Sequence, residues 1–437
     1  MNTKLNKKFF AYVVPSVLAF ALSGVYSIVD GFFIGRSLGD IGLASSALAY
    51  PACAFVQAVG TGIGLSGAIH FAIGKAQGKK EEEQTCFSSS TWLMLLVSIL
   101  LTVLFYTCAS PLMRLLGAGN ETLVLSVEYV QVIALGTIFQ LMATGFVPFV
   151  RNLGGATFSM FSMMLGFFTN IVLDYLLVWV FHWGMAGAAW ATVIGQAMTL
   201  IAAVIFFVVK KQTVSFPPIK RMFSLWKKIL KLSISPFGLT FSQTITLLLM
   251  NRFLLIHGNE QAVAVFGCID YIITIIYLLL QGVGDGCQPL ISSYYGEERY
   301  TDVKTVRRTA YITAAILAGA CMTAVFAVRT KIGVLFGASD MTNLDVAKYL
   351  PYFLAAMLFL SVVRVTTSCF YATEKAGFSY LLVYAEPVCT LLLLICLPFA
   401  FQLNGVWAAV PVSQTVTFVI ALAAKNHVDK QMPPCFG

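Results

Sequence analysis

The chain of 437 residues is 59% hydrophobic and only 11% charged, and its formal net charge is +9. Soluble domains usually carry about 25% charged residues, so this composition excludes an ordinary soluble protein and indicates an integral membrane protein. The positive charge does not indicate a nucleic-acid partner, because the basic residues follow membrane sidedness.

Twelve apolar stretches are long enough to cross a bilayer, which takes about 20 residues. The first six are 9–35, 46–73, 88–110, 126–149, 157–181 and 185–209. The second six are 233–256, 261–283, 306–328, 349–370, 376–400 and 404–424. The first stretch is too long for a cleavable signal peptide and is expected to be retained. We predict an all-α integral membrane protein with twelve transmembrane helices in two pseudo-symmetric six-helix lobes.

Lysine and arginine residues predict the orientation of the chain. With a cytoplasmic N-terminus, the inner segments hold 21 of these residues and the outer loops hold 5. By the positive-inside rule, both termini then face the cytoplasm, and the expected location is the bacterial cytoplasmic membrane. The predicted lobes are 1–209 and 232–437, and they are joined by a basic cytoplasmic linker, 210–231.

The two halves share a glycine pattern, which suggests an internal repeat. At a constant offset of 222, the matches are Gly62 with Gly284, Gly64 with Gly286, Ile69 with Ile291, and Gly74 with Gly296. Because six crossings is an even number, both halves run in the same direction. This predicts a parallel repeat about an axis along the membrane normal, an arrangement suited to alternating access.

Motifs for other activities are weak. Gly62, Gly64 and Gly67 spell G-x-G-x-x-G, but a dinucleotide site needs a preceding strand, and this motif lies in a membrane span. Small residues for close helix packing explain it better. The sequence contains no phosphate-binding loop, so transport driven by ATP hydrolysis is not expected. The histidines are scattered and the cysteines lack C-x-x-C spacing, so no metal site or disulfide is predicted from them.

Acidic residues inside the spans are the most informative feature. A carboxylate there costs about 2.5–3.5 kcal/mol on insertion scales, so it usually faces a cavity or a partner. Asp30, Asp174 and Thr192 fall at similar depth in spans one, five and six, and Asn170 lies one turn from Asp174 on the same helical face. These oxygens predict a site for Na⁺ or a shared proton. Alternatively, Asp174 merely caps or pairs near the outer surface.

The charges of the second lobe suggest ion pairs. Asp270 in span eight lies near the same side as Arg252 at the end of span seven, and Arg364 and Glu386 both lie near mid-depth. Pairing Asp270 with Arg252 and Glu386 with Arg364 would neutralise costly charges, so we prefer it to ion coupling. A role of the two acids in binding cationic substrates stays open. Asp285, at the inner end of span eight, is expected to be solvated.

Seven segments, through their order and spacing along the chain, carry a family resemblance. They are Pro15-Ser-Val, Val29-Asp30-Gly-Phe-Phe-Ile-Gly35, the two glycine stretches, Phe146-Val-Pro-Phe-Val-Arg-Asn152, and Asn170-Ile-Val-Leu-Asp174 with Gly184-Met-Ala-Gly-Ala-Ala-Trp-Ala-Thr192-Val-Ile-Gly-Gln196. With them, nearly the whole chain resembles the MATE (multidrug and toxic compound extrusion) family of secondary transporters, in particular its MepA-type bacterial branch.

This resemblance implies efflux of cationic, lipophilic compounds against inward H⁺ or Na⁺. It implies that the first-lobe cation site is formed by Asp30, Asn170, Asp174 and Thr192. The same residues would be the metal ligands if the coupling ion is Na⁺. In NorM-type members, acidic residues of the seventh and tenth helices also take part. This sequence has no acid within those two spans, which argues against that second-lobe site.

We therefore predict a monomeric antiporter, not an enzyme, that exports organic cations by alternating access and needs no cofactor besides the coupling ion. Its partners are small organic cations and the lipid bilayer. The alternative is a flippase for lipid-linked saccharides with a related two-lobed fold. A flippase should carry a cationic cavity for a diphosphate, whereas the candidate charges here are mainly acidic. An intramembrane enzyme would need an assembled nucleophile or metal set, and a receptor would favour an odd number of spans.

Overall fold

The computed structural model describes residues 3–335 and 339–431, and the regular elements in these ranges are all helical. The long helices are α1 (Thr3–Ala76), α2 (Lys80–Leu115), α3 (Asn120–Leu135), α4 (Thr137–Asn152), α5 (Ala156–Leu173), α6 (Gly184–Val209), α7 (Ile219–His257), α8 (Glu260–Gly296), α9 (Tyr300–Val328), α11 (Asp340–Ala372) and α12 (Ala376–Gln431). The short elements are the π-helical segment Asp174–Val180, the 3-10 turn Arg329–Lys331 and α10 (Ile332–Leu335).

The predicted twelve membrane spans, six in each half, are confirmed. Nine helices of the described chain are long and apolar enough to cross a membrane. Two of these contain two spans each, because the backbone leaves the helical conformation at Gly39 in α1 and at Gln402 in α12. The pair α3 and α4, bent by 58° at Gly136, forms one more span.

The described chain forms two compact units. The N-terminal unit is Leu18–Phe241, and the C-terminal unit combines the residues before Leu18 with the chain from Ser242 onward. The division into 1–209, 210–231 and 232–437 was made from the sequence and remains a prediction of the lobes. The first helix of each repeat, α1 or α7, contributes its N-terminal part to the unit that holds the other repeat.

Aromatic side chains fill the interior of both units. In the N-terminal unit the Phe87 ring packs against Phe149 and Phe207, with centroid distances of 5.4 and 5.0 Å. In the C-terminal unit, Trp407 stacks on Tyr349 at 4.4 Å. Each such pair is worth about 0.5–1.5 kcal/mol beyond area burial. These contacts give each unit a packed framework on which polar groups are held.

The internal repeat is real, but its offset in the structure is 220 rather than the predicted 222. The turn residues Gly78 and Glu298, and likewise Gly154 and Glu374, have positive φ and lie 220 positions apart. The helices that follow these turns also begin 220 residues apart. The packing also agrees with an offset of 220. A Cβ added at Gly62 would contact Phe237, and a Cβ added at Gly282 would contact Val17. Gly62 and Gly282 lie 220 residues apart, and so do Val17 and Phe237.

The basic segment before α7 is bound to the start of α2. Ser215 N donates to Ser88 Oγ at 3.0 Å, and Trp92 Nε1 donates to Ser215 O at 3.1 Å. Trp226 Nε1 donates to Ser89 O at 2.8 Å. Helix α7 begins at Ile219, well before the predicted span at 233. The predicted linker is thus partly helical, and hydrogen bonds to α2 hold it as part of the N-terminal unit.

Candidate functional site

Asp30 lies within the first span of α1, where the backbone is regularly helical. Its Oδ1 is buried and has no hydrogen-bond partner among the described residues. The carboxyl group as a whole lies within hydrogen-bonding reach of the Asp174 carboxyl. The two acids predicted from depth along their spans therefore meet in the N-terminal unit.

Asp174 lies where α5 changes from α-helical to π-helical winding. Its backbone N–H is directed at both Asn170 O and Ile171 O. Further along, Phe181 N donates to Leu176 O at 2.8 Å, a bond over five residues. Short π-helical segments inside α-helices are rare and often occur at functional sites. The Asp174 side chain is fully buried, and its Oδ1 lacks a hydrogen-bond partner in the described chain.

Asn170 and Thr192 complete the group. The Asn170 amide nitrogen lies 3.4 Å from Thr192 Oγ1. If the nitrogen and oxygen of this amide exchange places, both atoms gain a hydrogen-bond partner. In this orientation, which satisfies both ends, the nitrogen donates to Asp174 Oδ2 and the oxygen accepts from Thr192 N, each at 3.2 Å. The structure thus brings all four predicted residues together, with Asp174 between Asn170 and Asp30. Their role in ion coupling remains a prediction.

Two tyrosines that the sequence reasoning missed also belong to this site. The buried Tyr129 of α3 lies within hydrogen-bonding reach of Thr192. Tyr26, one helical turn before Asp30, stacks on Phe167 with a centroid distance of 5.0 Å. The four-residue spacing from Asp30 was a signal for Tyr26. No comparable signal exists for Tyr129, which follows from the packing of α3 against α6.

The predicted ion pair between Asp270 and Arg252 is wrong. Arg252 is exposed, and none of the ion pairs among residues 3–335 and 339–431 contains Asp270. An exposed guanidinium at the end of a span can be solvated at the membrane surface, so it does not require the acid.

Glu386, which was predicted to pair with Arg364, accepts hydrogen bonds from two neutral side chains. Tyr277 Oη donates to Glu386 Oε1 at 2.6 Å, and Gln414 Nε2 donates to the same oxygen at 3.2 Å. Arg364 lies over the ring of Tyr277, 4.7 Å from its centroid. Tyr277 therefore contacts both charged groups. Asp285, which was expected to be solvated, is buried and accepts a hydrogen bond from Tyr371.

Replacing Thr192 by Val is expected to weaken the apparent affinity for the coupling ion about 2- to 10-fold. The substitution preserves shape and removes one hydroxyl, and a hydrogen bond contributes about 0.5–1.5 kcal/mol. The measurement is transport by the purified protein in proteoliposomes as a function of ion concentration. Thr169→Val is the matched control, because that hydroxyl donates within its own helix, to Leu165 O. An unchanged affinity in Thr192→Val would contradict the prediction.

Comparison with known sequences identifies the family. The MatE family model matches residues 15–176 and 233–399. Over 428 residues, the chain is 25% identical to the multidrug export protein MepA of Staphylococcus haemolyticus, covering 96% of this chain and 93% of the relative. It is also 25% identical over 424 residues to MepA of Staphylococcus aureus, covering 95% and 92% of the two chains.

Solved structures share the fold. One is an outward-facing multidrug resistance MATE family transporter of the MOP superfamily, with a TM-score of 0.90, 21% identity, and coverage of 98% of this chain and 96% of that chain. Another is a MOP superfamily transporter from Pyrococcus furiosus, described as having a binding pocket of reverse polarity that suggests a different function. Its TM-score is 0.90 at 20% identity, with 97% and 96% covered. Since the family model covers most of both halves, the chain belongs to the MatE family of membrane transporters and is not an enzyme.

Proposed function

We propose that this transporter exports organic, mostly cationic lipophilic compounds in exchange for an inward-moving H⁺ or Na⁺. Its full-length relatives are named multidrug export proteins, which supports the substrate class. In the proposed orientation both termini are cytoplasmic, and the membrane is the bacterial cytoplasmic membrane. The main observation in support of ion coupling is that the carboxyl groups of Asp30 and Asp174 lie within hydrogen-bonding reach of each other inside the N-terminal unit.

Two carboxylates in contact away from water need a positive partner. Their repulsion would be about 4 kcal/mol at 4 Å separation with an effective dielectric constant of 20. One bound proton or cation removes this repulsion and holds α1 and α5 together at Asp30 and Asp174. Its loss separates the two acids. Ion binding is thereby linked to helix packing, which is the requirement for an ion that drives alternating access.

The surroundings of the acids favour H⁺ over Na⁺ as the coupling ion. In the amide orientation that satisfies both ends, Asn170 directs its nitrogen, a donor, toward Asp174 Oδ2, and its oxygen toward Thr192 N. A sodium ion between the acids would prefer the amide oxygen as a further ligand. A proton needs only the two carboxyl groups, and a donor at the far oxygen of Asp174 supports the remaining negative charge.

The flippase alternative is less well supported. Binding a diphosphate would need basic side chains around a cavity. A small cavity in the C-terminal unit is lined instead by the acids Asp270 and Glu386, with Gln243 and Tyr277 beside them. Acidic groups repel a diphosphate, so this cavity does not supply the basic site that a flippase needs.

The test is accumulation of a fluorescent organic cation, ethidium, in everted membrane vesicles with separately imposed pH and Na⁺ gradients. We expect a pH gradient, acidic inside the vesicle, to drive ethidium accumulation at least several-fold above vesicles without the protein. A Na⁺ gradient alone should have little effect. If neither the pH gradient nor the Na⁺ gradient drives ethidium accumulation, the exchange mechanism is contradicted. If only the Na⁺ gradient drives it, the coupling ion is Na⁺.

A further inference from the structure

The first turns of α7 form a basic extension of a membrane helix. The helix begins at Ile219, whereas its predicted membrane span starts at 233. Residues 219–232 are therefore an extension, about 21 Å long at 1.5 Å per residue. Together with the preceding residues 210–218, the extension carries seven lysine and arginine residues and no aspartate or glutamate. Its positive charge has no acid within the same segment to neutralise it.

Hydrogen bonds hold the extension at the level where the predicted span 88–110 begins. Just before the extension, Ser215 N donates to Ser88 Oγ, and within it Trp226 Nε1 donates to Ser89 O. Two points that lie eleven residues apart along the chain thus contact neighbouring residues at one end of a span. Tryptophan is enriched at membrane–water interfaces, which agrees with this position of Trp226. The extension therefore lies at the membrane surface, on the side where the basic residues collect.

Two apolar faces of the extension have different surroundings. Ile229 and Leu232 are buried and attach the extension to the rest of the N-terminal unit. Ile219, Phe223 and Leu230 instead are 68%, 57% and 44% exposed. At 100° per residue these three fall within a sector of about 40°, and we call them the apolar row. Exposed apolar side chains on a helix at the membrane surface are placed to insert between lipid molecules.

Exposed lysines lie directly beside the apolar row. Lys220, Lys227 and Lys231 occupy the next sector of about 40° around the helix, and we call them the lysine row. None of the three forms an ion pair with another residue of the described chain. Arg221, further around the helix, is paired with Glu81 of α2, so that acid is already neutralised. The lysine row thus presents three uncompensated charges next to apolar side chains.

We propose that the extension of α7 is a binding site for anionic phospholipids. The lipid phosphates bind the lysine row, and the upper methylene groups of the acyl chains pack on the apolar row. Basic residues near a membrane surface attract anionic lipids, whereas a zwitterionic lipid carries its own cation beside the phosphate. A soluble polyanion could bind the lysines but would leave the apolar row in water, so the two rows together fit a lipid. The inference does not depend on the exported compound or on the coupling ion.

Titration of the purified full-length protein with dioleoylphosphatidylglycerol, in dodecyl maltoside, tests the site. The melting temperature at each lipid concentration gives an apparent affinity, because a ligand that binds the folded state stabilises it. The comparison ligands are dioleoylphosphatidylcholine, which has the same chains, and glycerol phosphate, which has none. We expect phosphatidylglycerol to act at concentrations about tenfold or more below either comparison ligand, since near-surface lysines contribute about fivefold each.

The test variant combines Lys220→Gln, Lys227→Gln and Lys231→Gln. Its apparent affinity for phosphatidylglycerol should fall about tenfold or more, by the same contribution per lysine. Replacing the lysine row by arginine instead should keep the affinity, because the charge and the phosphate-binding donors remain.

The matched control combines Lys4→Gln, Lys7→Gln and Lys430→Gln. It removes the same charge at exposed lysines of the C-terminal unit and should leave the affinity for phosphatidylglycerol unchanged. An equal loss of affinity in the control would overturn the site, because net charge alone would then explain the binding. Unchanged affinity in the glutamine variant of the lysine row would overturn it too.

A salt titration of the unmodified protein needs no substitution, so it decides even if the glutamine variant is unstable. Raising the ionic strength from about 0.05 M to about 0.5 M shortens the Debye length about threefold. The apparent affinity for phosphatidylglycerol should then fall several-fold, while that for phosphatidylcholine should not change. Affinity for phosphatidylglycerol that does not respond to salt would overturn the site. Stabilisation by glycerol phosphate at the concentrations needed for phosphatidylglycerol would overturn it in favour of a site for soluble anions.

Discussion

Asp30→Asn is expected to abolish ion-driven efflux while the protein still inserts into the membrane. The amide cannot share a proton with Asp174, so the ion no longer changes the packing of α1 against α5. Accumulation driven by the pH gradient should therefore fall to the level of vesicles without the protein. Insertion should be preserved, since removing a carboxylate from a span avoids about 2.5–3.5 kcal/mol of insertion cost.

The measurement is ethidium accumulation in everted vesicles under an imposed pH gradient, with membrane abundance determined on the same vesicles. Asp40→Asn is the matched control, because it makes the same change at an exposed position of the same helix. Full pH-driven accumulation by Asp30→Asn at equal abundance would refute the coupling role. Loss of membrane abundance in Asp30→Asn would show a structural role instead.

Gly64→Ala is expected to destabilise the protein and to lower the yield of correctly folded material. A Cβ at this position would lie 2.2 Å from Gly145 Cα and 2.4 Å from Gly145 O, so the backbones of α1 and α4 must separate. Close glycine contacts stabilise packed membrane helices, and overpacking commonly costs about 1–3 kcal/mol or more. The melting temperature of the purified protein and its yield as a single species should both fall sharply.

Gly31→Ala on the same helix is the control, because a Cβ there meets no atom within 4 Å. It should leave melting temperature and yield unchanged. If Gly64→Ala melted at the temperature of the unmodified protein, the close approach of α1 and α4 would not be a determinant of stability.

The sequence was sufficient to locate a residue along the length of its span, but not to determine which side of the helix it occupies. Depth could be counted from the ends of the apolar stretches, and this placed Asp30 and Asp174 near the same level. A single charged residue at the end of a span, such as Arg252, does not reveal which way its side chain points around the helix. The Asp270–Arg252 pair was wrong for this reason.

The repeat was recognised with a two-residue error that has a simple cause. Glycines alternate at 60, 62 and 64 and again at 282, 284 and 286, so a slip by two positions still aligns them. The turns with positive φ, such as Gly78 and Glu298, distinguish the two offsets. The π-helical segment Asp174–Val180 contains no glycine or proline that would predict a change of winding, so it could be found only in the structure.

The backbone is stiffer at Asp30 than at Asp174. Asp30 belongs to a regular α-helical span of α1, where every backbone bond resists displacement. The N–H of Asp174 is already shared between two carbonyl groups, and the next bonds span five residues. Small shifts there exchange one bond for another without losing any, so the backbone at Asp174 is compliant. Under the proposed coupling, gain or loss of the shared ion is therefore expected to move the end of α5 more than the α1 span.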